Sequence, residues 1–290
     1  MENHVLEMMT QEARLRLFKL KEIPPPSGMA QEVIRIAADD MVDISKLVNV
    51  IEKSPELTAR ILRCANSAYY GQRKHIATVK EAIIRVMGLS LTKSLVLAMA
   101  LAGPFDFSRC PNFDPQRYWF VSVVSGSLSQ ELAKHLAIKE KPDPASAYTA
   151  GLIHNLGLLA LVHAFPKEMS NALEIDDPVT IQENIFKLLG MDQLVAGAWL
   201  AQRWGLPEEL ILVILHHRDP SYRGQSWPLV NLIGLTSLLA EGLYSGQPIP
   251  STKIFPEVLI PDQDVEKVVN QFAEHVEAIK DLASLLANGN

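Results

Sequence analysis

The 290 residues are 48% hydrophobic and 21% charged, ordinary proportions for a globular protein with a real core and enough chain for one large or two small domains. A net charge of −6 argues against broad nucleic-acid binding. Two cysteines, Cys64 and Cys110, are too few for a disulfide framework and read as small buried hydrophobes of a reducing compartment.

Met1-Glu2-Asn3-His4 is acidic and polar where a secretory signal would be basic, so a soluble cytoplasmic protein is expected. Residues 1–22 carry Leu6, Met9, Leu15, Leu17 and Phe18 at helical spacing, and Pro24-Pro25-Pro26 ends that helix in an extended segment. Helical periodicity resumes over residues 29–38. Asp43 is placed to cap a helix carrying Leu47, Val48 and Ile51. Ser54-Pro55-Glu56 opens another: cap, proline at the first turn, acid at the positive helix end. Thr78-x-x-Glu81 is a capping box for a helix that Gly88 stops. Ser90 is expected to cap a long helix to about residue 102.

Residues 104–114 have turn chemistry and read as a hinge between two helical layers. Asp114-Pro115 opens a helix holding Trp119, Val123, Leu128 and Leu132. Residues 144–165 then form an almost unbroken apolar run after Asp143, predicting a single central helix too short and too polar to span a bilayer. Asp143 reads as its N-cap, and His154, Asn155 and His163 break it. Burying an unpaired imidazole or amide costs about 1–3 kcal/mol, so those groups need partners, a ligand or water.

Thr180-x-x-Glu183 is a second capping box. Asp192 caps a helix stopped by Gly205. Pro207-Glu208-Glu209 starts one that ends at His216-His217, and Asp219-Pro220 is a turn. Trp227-Pro228 opens a helix to about Tyr244. Residues 246–262, rich in Pro and Gly, read as an ordered loop, and Asp262 caps one last amphipathic helix. No Gly-rich phosphate loop, CxxC pair or GxSxG occurs, and the chain reads as all-α.

Charge is uneven. Residues 53–93 hold eight Lys and Arg, among them Arg60, Arg63, Arg73, Lys74 and Arg85, against Glu56 and Glu81, so this segment carries +6 and the remainder −12. It reads either as solvated helix faces or as a docking or nucleotide face for an acidic partner.

Two sets of motifs carry a family resemblance. Gly151-Leu152-Ile153-His154-Asn155-Leu156-Gly157 resembles the signature helix of HD-superfamily phosphohydrolases. The ordered series Ile23-Pro24-Pro25, Glu52-Lys53-Ser54-Pro55-Glu56-Leu57-Thr58, Cys64-Ala65-Asn66-Ser67-Ala68-Tyr69-Tyr70-Gly71 and Ala82-Ile83-Ile84-Arg85-Val86-Met87-Gly88 is similar to the HDOD family, a regulatory offshoot of that superfamily. The resemblance covers roughly residues 20–245. It implies an HD-domain-like multi-helix fold of two packed helical subdomains, residues 22–103 and 104–245. A leading helix (1–21) and a loop with a closing helix (246–290) flank them.

The resemblance also implies where a metal site would lie. The first ligand follows a Trp-x-His-Ser pattern, and here Trp119-Phe120-Val121-Ser122 puts valine there. The His-Asp pair is His154-Asn155. A further His after Gly-x-Asp is replaced by Gln193. The His-His step is kept as His216-His217, and a late Asp falls near Thr236. No carboxylate remains, although His154, His216 and His217 could in principle take zinc. The expectation is therefore a degenerate site without metal or cofactor, in a non-enzymatic bacterial signal-transduction module that docks another signalling protein. The alternatives are a divergent metal-dependent phosphohydrolase using those three histidines, or a sensor binding a small nucleotide without chemistry. If the histidines are structural, His154 is hydrogen-bonded to a neighbour, the His216-His217 pair sits as partial positive charge at a helix C-terminus, and His75, His135 and His163 have no partner pattern.

Overall fold

The computed structural model describes residues 11–26, 28–37, 39, 42–72, 74–174, 178–247, 254–255 and 260–288. Expectations for residues 1–10, for Arg73 and for most of the 246–262 loop lie outside them. Among the described residues every regular element is helical, as the motif series implied.

The helix α1 (Gln11–Glu22) comes first and is held by the later part of the chain, Arg203 Nη1 donating to Lys21 O at 2.9 Å; the first layer itself comprises α2 (Gly28–Ala37), α3 (Ile44–Glu52), α4 (Pro55–Ala65) and α5 (Leu89–Ala102). Asp43 and Ser54 cap α3 and α4 through Lys46 N and Leu57 N, and Thr78 Oγ1 accepts from Glu81 N. The turn Val79–Glu81 widens into a π-helix, Ala82–Met87, closed by Gly88 N donating to Ile83 O at 2.8 Å. The wider turn leaves Ile84 59% exposed. Ser90 does not cap α5. Gly88, at φ 76°, turns the chain so sharply that the helix begins at Leu89 and Ser90 already lies inside it.

The second layer comprises α6 (Pro115–Leu132), α7 (Pro144–Ile153), α8 (Leu156–Ala164), α9 (Pro166–Ala172), α10 (Pro178–Leu189), α11 (Gln193–Arg203), α12 (Glu208–His216) and α13 (Trp227–Ser245). Thr180 falls inside α10, which starts at Pro178, rather than at its cap. The closing segment is two helices, α14 (Asp262–Ala273) and α15 (Val276–Ala287). Pro261 precedes the first of them, so Asp262 is already helical. Bending at Glu274 and His275 lets Val265, Val268 and Val269 of one helix and Ile279, Leu282 and Leu286 of the other all reach the core.

The structural hub is α6, which packs on α7, α13, α14 and α15. Main chains meet directly at two crossings. A Cβ on Gly151 of α7 would lie 2.5 Å from Gly126 Cα of α6, and one on Gly157 of α8 would lie 1.8 Å from Gln193 O of α11. Only glycine permits such approaches.

The apolar run at 144–165 is two helices, not one, with the break at His154-Asn155. By length and composition Pro144–Ala164 would suffice to cross a membrane, contrary to the sequence reading, but 78% of its apolar window is buried inside the fold. That is the environment of a core helix. The α15 helix bridges the layers: it touches α4, the short turn Ala68–Tyr70 and α6. The Arg60 guanidinium, 2% exposed, donates from Nη2 to Leu286 O at 2.6 Å. Arg60 therefore faces inward and is not part of any docking face, since it caps the carbonyl end of α15.

Candidate functional site

The break between α7 and α8 follows from His154 itself. Its Nδ1 sits 2.7 Å from Gly151 O, so the ring satisfies a carbonyl that the ending helix leaves without an intrahelical donor. A carbonyl only accepts, which places the proton on Nδ1 and the lone pair on Nε2. Ser237 Oγ, 3.0 Å away on α13, donates to that Nε2. Asn155 then adopts φ −95°, ψ 18° and stands at the N-cap of α8 with no side-chain capping bond.

His217, at the end of α12, repeats the pattern. Its Nδ1 donates to Val213 O at 3.0 Å, and its Nε2 is buried with no protein partner among the described residues. The two imidazoles meet edge to face at 5.0 Å. Burial pulls the His154 pKa down to about 4, with Arg218 adding a smaller push in the same direction. Burial, then His154 and Arg218, hold His217 well below the ordinary histidine range. Both rings are neutral at pH 7, so His217 brings no positive charge to the helix end. His216 turns the other way and stacks on Tyr222, with centroids 4.3 Å apart and planes at 17°. The three histidines thus do not converge.

Thr236 is also fully buried but bonds to Ser129 Oγ at 2.7 Å and Ser125 Oγ at 3.1 Å on α6. Its neighbour Ser237 is the residue that reaches His154. Outside the site, His163 Nδ1 accepts from Asp106 N at 3.0 Å, and His135 Nδ1 lies 3.5 Å from Asp264 Oδ2. Both therefore have partners that spacing did not reveal.

The other three positions, Val121, Asn155 and Gln193, line one cavity of about 110 Å³. The Gly157 crossing brings the start of α8 against Gln193 of α11, and Asn155 and Gln193 both line the cavity. Tyr118, Phe113, Leu158, Leu173 and Ile181 supply apolar surface, and exposed Asn112 and Asp114 stand at the mouth. Sequence reasoning missed the charged lining: Arg117, Arg218 and Glu241. Arg117 contacts Glu241 Oε2 through Nε at 3.1 Å and Nη2 at 3.0 Å. Arg218 Nη1 donates to Gln182 Oε1 at 3.2 Å, and Gln182 Nε2 donates to Asp192 Oδ2 at 2.9 Å. Burial lowers the Arg218 pKa, and Glu241 and Asp192 act against that. Arg218 directly follows the His216-His217 step, the one signal that pointed toward it. Gln193 is 5% exposed, and its Oε1 has no protein partner among the described residues.

These residues do not fit the metal an HD-type site implies. Valine offers no donor atom, and two neutral amides are weak substitutes for carboxylate and imidazole. Two guanidiniums line the same cavity against two carboxylates, Glu241 paired with Arg117 and Asp114 capping α6, so the lining holds no surplus negative charge for a cation. Among the described residues no three His, Cys, Asp or Glu side chains are grouped so as to hold one.

The HDOD domain model matches residues 23–220. A curated protein from Treponema pallidum (strain Nichols), itself uncharacterised, is 27% identical over 239 residues, covering 80% of this chain. The chain spans only 45% of that relative's length. Two solved structures share the fold. A provisionally named signal transduction protein from Marinobacter aquaeolei VT8 superposes with a TM-score of 0.79 at 22% identity, over 97% of this chain and 68% of the other. An HDOD domain protein of unknown function from Geobacter sulfurreducens gives 0.75 at 19% identity, over 96% and 99%.

Proposed function

Because the chain belongs to the HDOD domain family, we propose that it is a bacterial, cytoplasmic signal-transduction module that docks another signalling protein and hydrolyses nothing. One observation carries this reading: Val121, Asn155 and Gln193 share their cavity with Arg117 and Arg218. An HD-type hydrolase needs a metal-bound hydroxide there; the inherited ligand positions offer a cation no anionic oxygen, and of the two carboxylates in the lining Glu241 is paired with Arg117 and Asp114 stands exposed at the mouth. The likeness of fold to a protein named for signal transduction agrees with it.

The surface offered to a partner is the exposed part of the basic segment. Arg63, Lys74 and Arg85 are exposed, and Ile84 stands out beside Arg85. Positive charge around a protruding aliphatic side chain suits an acidic protein surface with an apolar socket.

Elemental analysis and a phosphodiesterase assay on the same purified sample test the reading. Less than one metal per chain and no turnover of bis(4-nitrophenyl) phosphate with added Mn²⁺ are expected. Turnover that disappears in His154→Ala would overturn it.

A further inference from the structure

The chain carries a protruding aliphatic side chain and, at another place on its surface, an open apolar groove. The π-helix lifts Ile84 to 59% exposure, the highest among the exposed large hydrophobic side chains of the described residues. Next to it Arg85, also exposed, lies 3.3 Å from Glu81 in a solvent-facing i,i+4 pair, the kind of contact that exchanges at little cost. A knob of this kind fits an apolar socket with an acid at its rim.

Such a socket lies where α2, α4 and α5 meet. A groove of about 480 Å³ is lined by Pro24, Met29, Leu57, Met99 and Pro104, with Glu56 among them. Pro24 is exposed and Met29 and Pro104 are half-buried, so the groove opens to solvent. The charge it shows is negative. Arg60, also in the lining, is 2% exposed and donates to Leu286 O, whereas the Glu56 side chain is 66% exposed. Its size is within the range of pockets that take a ligand larger than one side chain, which leaves room for Ile84 and the turn that carries it.

We propose that two copies of this chain associate by seating Ile84 of one in this groove of the other, with Arg85 paired to Glu56. A knob and a socket at separate places join copies head to tail, unless a two-fold axis uses the contact twice and stops at a dimer. The proposal deepens the docking role and rests on it, because it occupies the same basic face. As concentration rises, Ile84 and Arg85 become covered and the face offered to a signalling partner is withdrawn.

The test is sedimentation velocity of the full chain from about 1 to 100 µM, the range of a small, weak interface. The mass should rise with concentration, and less so at high salt. Ile84→Asp should weaken association about tenfold or more, as removal of a central anchor does. Gly103→Phe places a ring at the groove and should weaken it similarly. That position has φ −55°, and a Cβ there would meet its nearest atom at 3.6 Å, so a side chain is accommodated. Arg85→Glu and Glu56→Arg should each weaken association about two- to fivefold, and the double variant should recover most of the loss. A purely structural role for either residue would give no recovery. The proposal is overturned if the parent stays monomeric throughout, if Ile84→Asp and Gly103→Phe associate as the parent does, or if the double charge reversal recovers nothing. None of these results touches docking to a different protein, which Gly103→Phe should leave intact.

Discussion

The ring of His154 and the ring of His217 stand at 85° to one another with centroids 5.0 Å apart, each donating from Nδ1 to a main-chain carbonyl of its own helix. Two elements far apart in sequence, the α7–α8 break and the end of α12, are thereby joined by a pair of uncharged, fully buried imidazoles.

That pairing makes stability depend on pH. Both folded-state pKa values lie below the unfolded value near 6.5, with His154 at about 4. The unfolded chain therefore binds more protons between those limits, and stability rises with pH there. The contribution is complete above about pH 6.5 and is lost as pH falls toward 4, at about 1.4 kcal/mol per pH unit for each ring. Denaturant midpoints taken from pH 7 to pH 5 should fall, and His217→Leu should flatten the slope by about half. An equal slope in the variant would show that other groups dominate.

The Gly157 crossing should be intolerant of any side chain. A Cβ there would lie 1.8 Å from Gln193 O and 2.6 Å from Gly197 N, both main-chain atoms. Gly157→Ala must push α8 from α11, at a cost of about 1–3 kcal/mol or more. Thermal melts of the purified variant check this, and an unchanged Tm would mean that the helices separate without cost.

Arg60→Ala should act through the fold rather than through a partner. It removes the buried donor to Leu286 O, and losing a hydrogen bond from a charged group costs about 1.5–3 kcal/mol. Hydrogen exchange in α15 should accelerate while the remainder of the second layer stays protected. By contrast, Arg85→Glu, at an exposed site, should leave stability within about 0.5 kcal/mol and weaken binding to an acidic partner, as read by co-purification.

Restoring one carboxylate should not restore metal binding. Asn155→Asp adds a single anionic oxygen donor beside Arg117 and Arg218, and Val121 and Gln193 still supply nothing comparable. Metal content of the variant should remain below one ion per chain. Stoichiometric Mn²⁺ after dialysis would show that one substitution suffices.

Most helix starts were legible because they depend on local chemistry. Asp43, Ser54, Asp114, Asp143 and Asp192 each cap the helix expected of them. What local chemistry could not give was the break at His154-Asn155, where a side chain takes over a carbonyl inside a run apolar on both sides. The bend at Glu274-His275 was hidden for a different reason: no side chain caps it, and only main-chain bonds such as His275 N to Phe272 O at 3.0 Å mark it. At the site, Val121, Asn155 and Gln193 were identifiable one by one, and the structure gathers them in one cavity. Their neighbours Arg117, Arg218 and Glu241 stayed invisible, because a charged residue in a single sequence looks the same whether it faces water or a cavity. Arg60 shows the reverse: a cation counted as surface is one of the largest buried side chains.

The contact between Arg60 and Leu286 joins residues 226 positions apart. At about 5–20 residues per second, a ribosome takes roughly 10–45 s to make the intervening chain. For that interval the guanidinium has no carbonyl to meet, and the groove awaiting α15 stays open to solvent. The nascent first layer is thus an unfinished surface, exposed to chaperones and to premature association, until α15 emerges from the exit tunnel and seats itself.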